Sequence, residues 1–339
     1  MLTPTLTRIG TVMRADPDDP REAEGVLNPA AARDADGELY LFPRIVGAGN
    51  YSRIGRARVV RVDGRPTGVS RLGLALEPTQ SWERNQVTAG VEDPRITRIE
   101  ALDIWVMCYV AYGPLGAKVA LAVSSDLVEW HRLGPVQFGY EPELHADFTL
   151  YPNKDAAFFP EPVRAPDGTP AFALLHRPFY QLGPGLPTIL PAAVTDERES
   201  IWVSYIPVTD AVDDLRALTR PAQHTLLAVP VYDWEAVKIG GGPPPIRTDD
   251  GWLFIYHGIR DLGGQLEYAA GAMLLDLDDV CDIRWRSAEP LLRPETGDEV
   301  TGTVGHVVFP TAIDAGPDGL EVYYGMADDK IGVARLDLT

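Results

Sequence analysis

Cysteine is almost absent from this 339-residue chain: Cys108 and Cys281 are the only two, each inside an apolar run (WVMCYV and DVCDI). Their separation excludes a zinc-ligand spacing, and their contexts suit reduced, buried thiols. Long hydrophobic runs are missing too. None approaches the roughly 18 residues of a membrane span, and MLTPTLTRIG lacks the apolar core of a signal peptide. A soluble cytoplasmic protein is the expectation. Positive charge is scarce: 30 Lys and Arg against 49 Asp and Glu give a formal net charge of −19. That balance argues against nucleic-acid binding through a basic face, and a protein this acidic needs a dedicated pocket to hold an anion. There is no GxSxG, no His beside either Cys and no GxxxxGK[ST], so a serine or cysteine nucleophile and a P-loop have no support.

Clear helical periodicity is also lacking. What is present is a series of short β-rich segments separated by Gly, Pro and Asp, among them ELYLFPRIV (38–46), DIWVMCYVAY (103–112), AFALLH (171–176), WLFIYHGI (252–259) and KIGVARLDL (330–338). Such spacing suits a sandwich, a barrel or a propeller. A local theme favours the propeller: LAVSSDLVEWHRLGP (121–135) runs strand, Ser-Asp-Leu turn, Trp, Gly-Pro. Looser copies are 192–205, 270–290 and 52–70. The alternative is chance likeness among hairpins. Copies spread over the whole chain suggest about four or five four-stranded blades. No linker or composition shift divides the sequence, so residues 1–339 are expected to form one all-β domain.

In a propeller, polar residues at the inner strand ends meet in a central funnel. Polar residues interrupt apolar segments at Asn28, Arg44, Asp93, Lys154, His176, Arg177, Lys238, His257 and Asp328. GVEDPRIT (90–97) places Glu92 and Asp93 side by side before a proline. Asp93 is a candidate acid for glycosidic cleavage and Glu92 a candidate partner for sugar hydroxyls, although acid-plus-Pro is equally ordinary turn chemistry. Lys154, Arg177 and Lys238 have the charge to hold a phosphate; a solvated loop or a structural ion pair is the competing reading of each. The glycines of KIGGG (238–242) would let backbone approach a ligand closely. Aromatic residues near strand ends, Tyr256 among them, suit sugar stacking or plain core packing.

The ordered motifs resemble glycoside hydrolase family 130, the β-mannoside phosphorylases and related β-mannosidases. The matching run includes LNPAA (27–31), YSRIGRA (51–57), GVEDPRIT, NKDAAFFPEPV (153–163), LLHRP (174–178), KIGGGPPPI (238–246) and VYYGMADDKIGVA (322–334), in family order over nearly the whole chain; GVEDPR, NKDAAFFPE with LLHRP, and KIGGGPPPI are its specific parts. The resemblance implies a five-bladed β-propeller with no metal and no organic cofactor, and inorganic phosphate as co-substrate. It implies single-displacement inversion at a terminal β-mannosyl unit, with Asp93 as general acid and α-mannose 1-phosphate as product. Because phosphate replaces the base-activated water, no second catalytic carboxylate is required. Carried over, Lys154, His176 and Arg177 match phosphate positions. Asn28, Arg44 and Ser52 match positions at the mannose-binding floor or the phosphate side, and Lys238, Tyr256, His257 and Asp328 match cavity positions, with Asp328 on the mannose hydroxyls. Glu92 stays the candidate partner for sugar hydroxyls read from its own motif.

The expected substrates are short β-1,2- or β-1,4-linked manno-oligosaccharides. The rivals are a hydrolase of the same family and a carbohydrate-binding propeller without catalysis. Two departures concern the rim: His306 stands where the family carries an Asn before VVFP, and 210–224 looks like a divergent insertion. The sequence leaves linkage, acceptor and a homo-oligomeric state open.

Overall fold

The computed structural model describes residues 3–84, 89–183 and 185–338. The strands are arranged as a β-propeller of five four-stranded antiparallel blades. Blade I comprises Gly25–Arg33, Leu39–Gly47, Tyr51–Val62 and Arg65–Leu76; blade II comprises Ala89–Ile99, Ile104–Gly113, Gly116–Ser124 and His131–Pro135. In blade III, Asn153–Phe158 is followed by Pro170–Pro178, Ile201–Pro207 and Ala222–Ala228. Blade IV runs through Lys238–Gly241, Gly251–Asp261, Leu266–Leu275 and Ile283–Arg286. Blade V takes Val308–Gly316, Gly319–Met326 and Lys330–Leu338 from the far end of the chain, and Pro4–Arg14 from the near end as its outermost strand. The first strand of each blade is innermost, and these inner strands pack around the ring axis.

The middle strands read as unbroken apolar runs because each blade is covered on both faces by its neighbours. The core is accordingly a set of layers between blades. One layer packs Cys108 and Leu121 of blade II against Phe158, Leu174 and Trp202 of blade III. The next packs Leu175 and Val203 of blade III against Trp252, Phe254 and Met273 of blade IV. Burying one such side chain contributes on the order of 2–3 kcal/mol. Both cysteines are free thiols; Cys108 is buried as expected, whereas Cys281 is only half-buried.

The repeated theme maps onto third strand, turn and outer strand in blades I, II and IV. In blade III it is misplaced. Residues 192–200 carry no strand, and the outer strand follows only after a helix, Val208–Asp213, and a 3-10 turn, Leu215–Thr219.

Three blades share a further device. A short turn before the inner strand ends in a fully buried glutamate: Glu83, Glu235 and Glu299. Each closes a capping box, so backbone N–H groups occupy one of its oxygens. Each then reaches a tyrosine on the second strand and an arginine on the outermost. Glu83 accepts from Tyr109 (2.8 Å) and Arg132 (2.7 Å). Glu299 accepts from Tyr324 (3.0 Å) and Arg8 (2.8 Å). Glu235 accepts from Tyr256 and pairs with Arg286 (2.7 Å). This corrects the expectation for Tyr256: it is a component of the blade IV lock, fully buried against Trp234, and does not face the funnel.

Candidate active site

Three inner strands are interrupted in the same way. Asn28 (φ 43°), Asp93 (φ 46°) and Asp155 (φ 57°) adopt left-handed backbone at register shifts of blades I, II and III. Asn and Asp tolerate this conformation, and each bulge breaks the alternation that would bury the side chain between blades. With Asp328 (φ 50°), at the turn between two blade V strands, they converge on a cavity of about 300 Å³. Arg44, Lys154, Arg177, Lys238 and His257 join them, with Phe179, Tyr268 and Phe309 as aromatic walls. A larger cleft of about 450 Å³ lies at the other end of the inner strands, where Arg33 is already paired with Asp314.

Asp93 is held from two sides. Its Oδ1 accepts from Asn28 Nδ2 (2.9 Å) and from Arg44 Nη1 (3.2 Å). Burial pushes its carboxyl up, but Arg44, then Lys154 and Arg95, with the Asn28 hydrogen bond, outweigh burial and hold it below the usual carboxylate range. Asp328 goes the other way. Burial raises it to about 6, with Asp93 and Glu92 adding to the shift and Arg44 and Lys154 opposing it. Two carboxylates of one cavity are thus driven to opposite protonation behaviour.

The cations stand on neighbouring strands. Lys154 and Arg177 are register partners in blade III, a like-charge pairing that a sheet disfavours unless something else needs it. Arg177 Nε donates to Asp155 Oδ2 (2.6 Å), and Arg95 Nη2 lies 3.3 Å from Asp155 Oδ1. Burial opposes ionisation of Asp155, but Arg177 and Arg95 keep its carboxyl far below the ordinary range. His257 sits 3.7 Å from the same carboxylate, yet burial pushes it down to about 3, so it is neutral and the two guanidiniums supply the charge. Burial, then Arg177, lowers Lys238 to about 8. Gly240 is required here for a reason other than close approach to a ligand: a Cβ would meet Asp155 Oδ2 at 2.3 Å and the His257 ring at 2.5 Å.

Three further residues singled out in the sequence are placed differently. Ser52 is buried and accepts from Arg44 Nε (2.9 Å), and Glu92 accepts from Arg44 (3.0 Å) and Lys154 (3.2 Å). Both orient cations and are not cavity walls. His176 is corrected outright. It points between blades II and III, against Phe138 and Phe148, with Asn153 on one ring nitrogen and Ser204 on the other. Burial, then His224, lowers it well below the usual histidine range, and a neutral, doubly bonded imidazole offers an anion nothing. Asp155, which the sequence offers only as one of several further carboxylates to consider, joins the site; Arg95, Tyr268, Phe179 and Phe309 are site residues that the sequence reading did not select. The signal for Asp155 was its place between Lys154 and an apolar run, the same place Asp93 has before its own strand.

Both ring nitrogens of His257, and Oδ1 of Asn28 and Asn153, are buried without a hydrogen-bond partner among the described residues. Of these, Asn28 and His257 line the cavity, where a bound molecule can complete their bonding, whereas Asn153 lies beside His176 between blades. The arrangement offers a proton donor or acceptor at Asp93, four cations to hold an anion, and aromatic walls for an apolar sugar face. No group of His, Cys, Asp and Glu suited to a metal occurs among the described residues, and no helix among them is long and apolar enough to cross a membrane.

Comparison with known proteins gives a consistent picture. A family model described as beta-1,4-mannooligosaccharide phosphorylase, glycoside hydrolase family 130, matches residues 3–177 and 212–339. The unmatched stretch is therefore 178–211, ahead of the 210–224 segment expected to diverge. The chain is 31% identical over 331 residues to a 1,2-beta-oligomannan phosphorylase of Thermoanaerobacter sp. (strain X514), covering 94% of this chain and 91% of that one. It is 32% identical over 276 residues to a beta-1,2-mannobiose phosphorylase of the same organism, covering 79% and 75%. Among solved structures, the beta-1,2-mannobiose phosphorylase of Listeria innocua in complex with beta-1,2-mannobiose superposes with a TM-score of 0.71 at 24% identity, over 97% of this chain and 96% of that one.

Proposed function

The chain belongs to glycoside hydrolase family 130, and from that premise we propose that it cleaves short β-1,2- or β-1,4-linked manno-oligosaccharides by phosphorolysis. The products are α-mannose 1-phosphate and the shortened acceptor. One observation carries the reading: Arg44, Lys154, Arg177 and Lys238 converge on the Asp93 cavity of a chain whose net charge is −19. Such a concentration of cations has no function in hydrolysis by water, but holding a phosphate nucleophile requires it. The catalytic unit is the whole ring of residues 1–339, because the inner strands of all the blades surround the site and the strand nearest the chain start completes blade V.

Phosphate, held by Lys154, Arg177 and Lys238, attacks the anomeric carbon of the terminal mannose from the face opposite the leaving oxygen. The new C–O bond forms as the glycosidic C–O bond breaks, inverting the centre. The proton reaches the leaving oxygen from Asp93, directly or through a mannose hydroxyl. Asp93 is held ionised by cations in the free protein, and phosphate adds negative charge beside those same cations. Its arrival raises the Asp93 carboxyl toward the protonated form that the reaction uses. Asn28, Asp328 and His257 bind mannose hydroxyls or phosphate oxygens with atoms that have no protein partner.

Hydrolysis within the same family is disfavoured by Asp155, which Arg177 and Arg95 pin as a counter-ion and leave unsuited as a base for water. The test incubates the protein with β-1,2- and β-1,4-mannobiose, with and without inorganic phosphate. Release of mannose 1-phosphate only with phosphate is the expected result. Equal release of free mannose without phosphate overturns the reading.

A further inference from the structure

Two of the cavity cations already hold an anion, and it belongs to the chain. Arg177 Nη1 is paired with Oε2 of Glu199, and Lys238 Nζ lies 3.4 Å from the same oxygen. The other carboxylates that serve these cations are fixtures. Glu92, on Arg44 and Lys154, is 5% exposed on the blade II inner strand, and Asp155, on Arg177 Nε, is 1% exposed on the blade III inner strand. Glu199 differs on both counts. It lies in the connection leading to Ile201–Pro207, and its side chain keeps 21% of its surface exposed.

The backbone of Glu199 is anchored, since its carbonyl accepts from the Ile239 N–H (3.1 Å). Motion is left to the side chain, through rotamers that cost little to exchange at an exposed site. Glu199 also falls within 178–211, the stretch outside the family match, so this carboxylate is not part of the pattern the family model describes.

We propose that Glu199 is a built-in competitor for phosphate: its carboxylate occupies the anion site formed by Arg177 and Lys238 and rotates toward solvent when inorganic phosphate enters. The proposal rests on the phosphorolysis reading of the same cavity. A phosphate dianion carries more charge and more acceptor oxygens than one carboxylate and displaces it, whereas a monoanion such as chloride or acetate gains little by doing so. Glu199 thereby offsets the repulsion between these two cations between turnovers and sets the phosphate concentration at which the site fills.

Calorimetric titration of inorganic phosphate into the wild-type protein, Glu199→Gln and Glu199→Ala, with steady-state KM for phosphate, tests this. Thermal melts of all the proteins check that they are folded. Removing the competitor is expected to lower both Kd and KM for phosphate about tenfold in each variant, while chloride at a fixed concentration inhibits the variants more than the wild type. Unchanged or weaker phosphate binding in folded variants overturns the proposal, because a residue that only positions Arg177 loses affinity when it is removed. Tighter phosphate binding in the variants with no phosphate requirement for mannose release supports the anion competition and overturns phosphorolysis. Absence of phosphate binding in every protein removes both.

Discussion

The blade locks and the cavity are built from the same materials, buried carboxylates facing arginines, and they do opposite things. In each lock one glutamate receives backbone N–H groups on one oxygen and a tyrosine on the other, with an arginine closing the set. In the cavity, cations crowd together on adjacent strands, Asp93 and Asp328 are driven apart in protonation, and buried atoms of Asn28 and His257 have no protein partner. A polar network completed from within holds a structure together, whereas one completed from outside binds a ligand. Residue type alone does not separate the two cases; whether the carboxylates and cations face a cavity does.

That contrast can be broken by mutation. The largest effect is expected at Asp93. Asp93→Asn should lower mannose 1-phosphate release by about 10³–10⁴-fold while the thermal melt barely moves. A stability loss as large as that of a lock variant would place Asp93 with the structural carboxylates. Next, Glu83→Ala should destabilise the protein by about 3–5 kcal/mol in denaturant, because it leaves Arg132 buried without its partner, yet kcat at low temperature should stay within a few-fold of wild type. Arg177→Ala comes third: the KM for phosphate should rise about 10–100-fold, with a smaller change for the mannoside, read from two-substrate kinetics.

The smallest effect concerns pH. Asp328 has its carboxyl raised to about 6 by burial, then by Asp93 and Glu92. A folded-state value above the unfolded one makes the protonated group favourable, so that stability is fully present below about pH 4 and is lost as pH rises through about 6. Asp328→Asn cannot ionise. Its unfolding free energy relative to wild type should therefore climb across that window, by on the order of 1 kcal/mol at the top, and flat behaviour would show that Asp328 titrates normally.

The legible parts of the fold were the second and third strands of each blade, such as Ile104–Gly113 and Gly251–Asp261, whose apolar runs follow from cover on both faces. The inner strands were harder, because Asn28-Pro29, Asp93-Pro94 and Asp155-Ala156 look like turns and are bulged strands. Plain strand alternation explains the mixed outcome for adjacent pairs. Tyr256 and His257 are neighbours, as are His176 and Arg177, and in each pair one residue enters the cavity while the other turns into the packing between blades. Alternation assigns neighbours to opposite faces, but which face is which depends on register, and register is set by strands far away in sequence. The locks left a trace in SWE (81–83) and DWE (233–235), which as isolated triplets resemble any acidic turn.

The seam of blade V has a consequence for how the molecule comes into being. Arg8 meets Glu299 across 291 positions, and among the described residues Pro4–Arg14 pairs in a sheet only with Lys330–Leu338. A ribosome therefore delivers one edge of that blade long before the other exists. Until it does, the early strand is an open edge, and Asn28 and Asp328 cannot share a pocket. Catalytic competence therefore waits on the synthesis of Lys330–Leu338 and on the closure of a long loop, and cannot build up strand by strand.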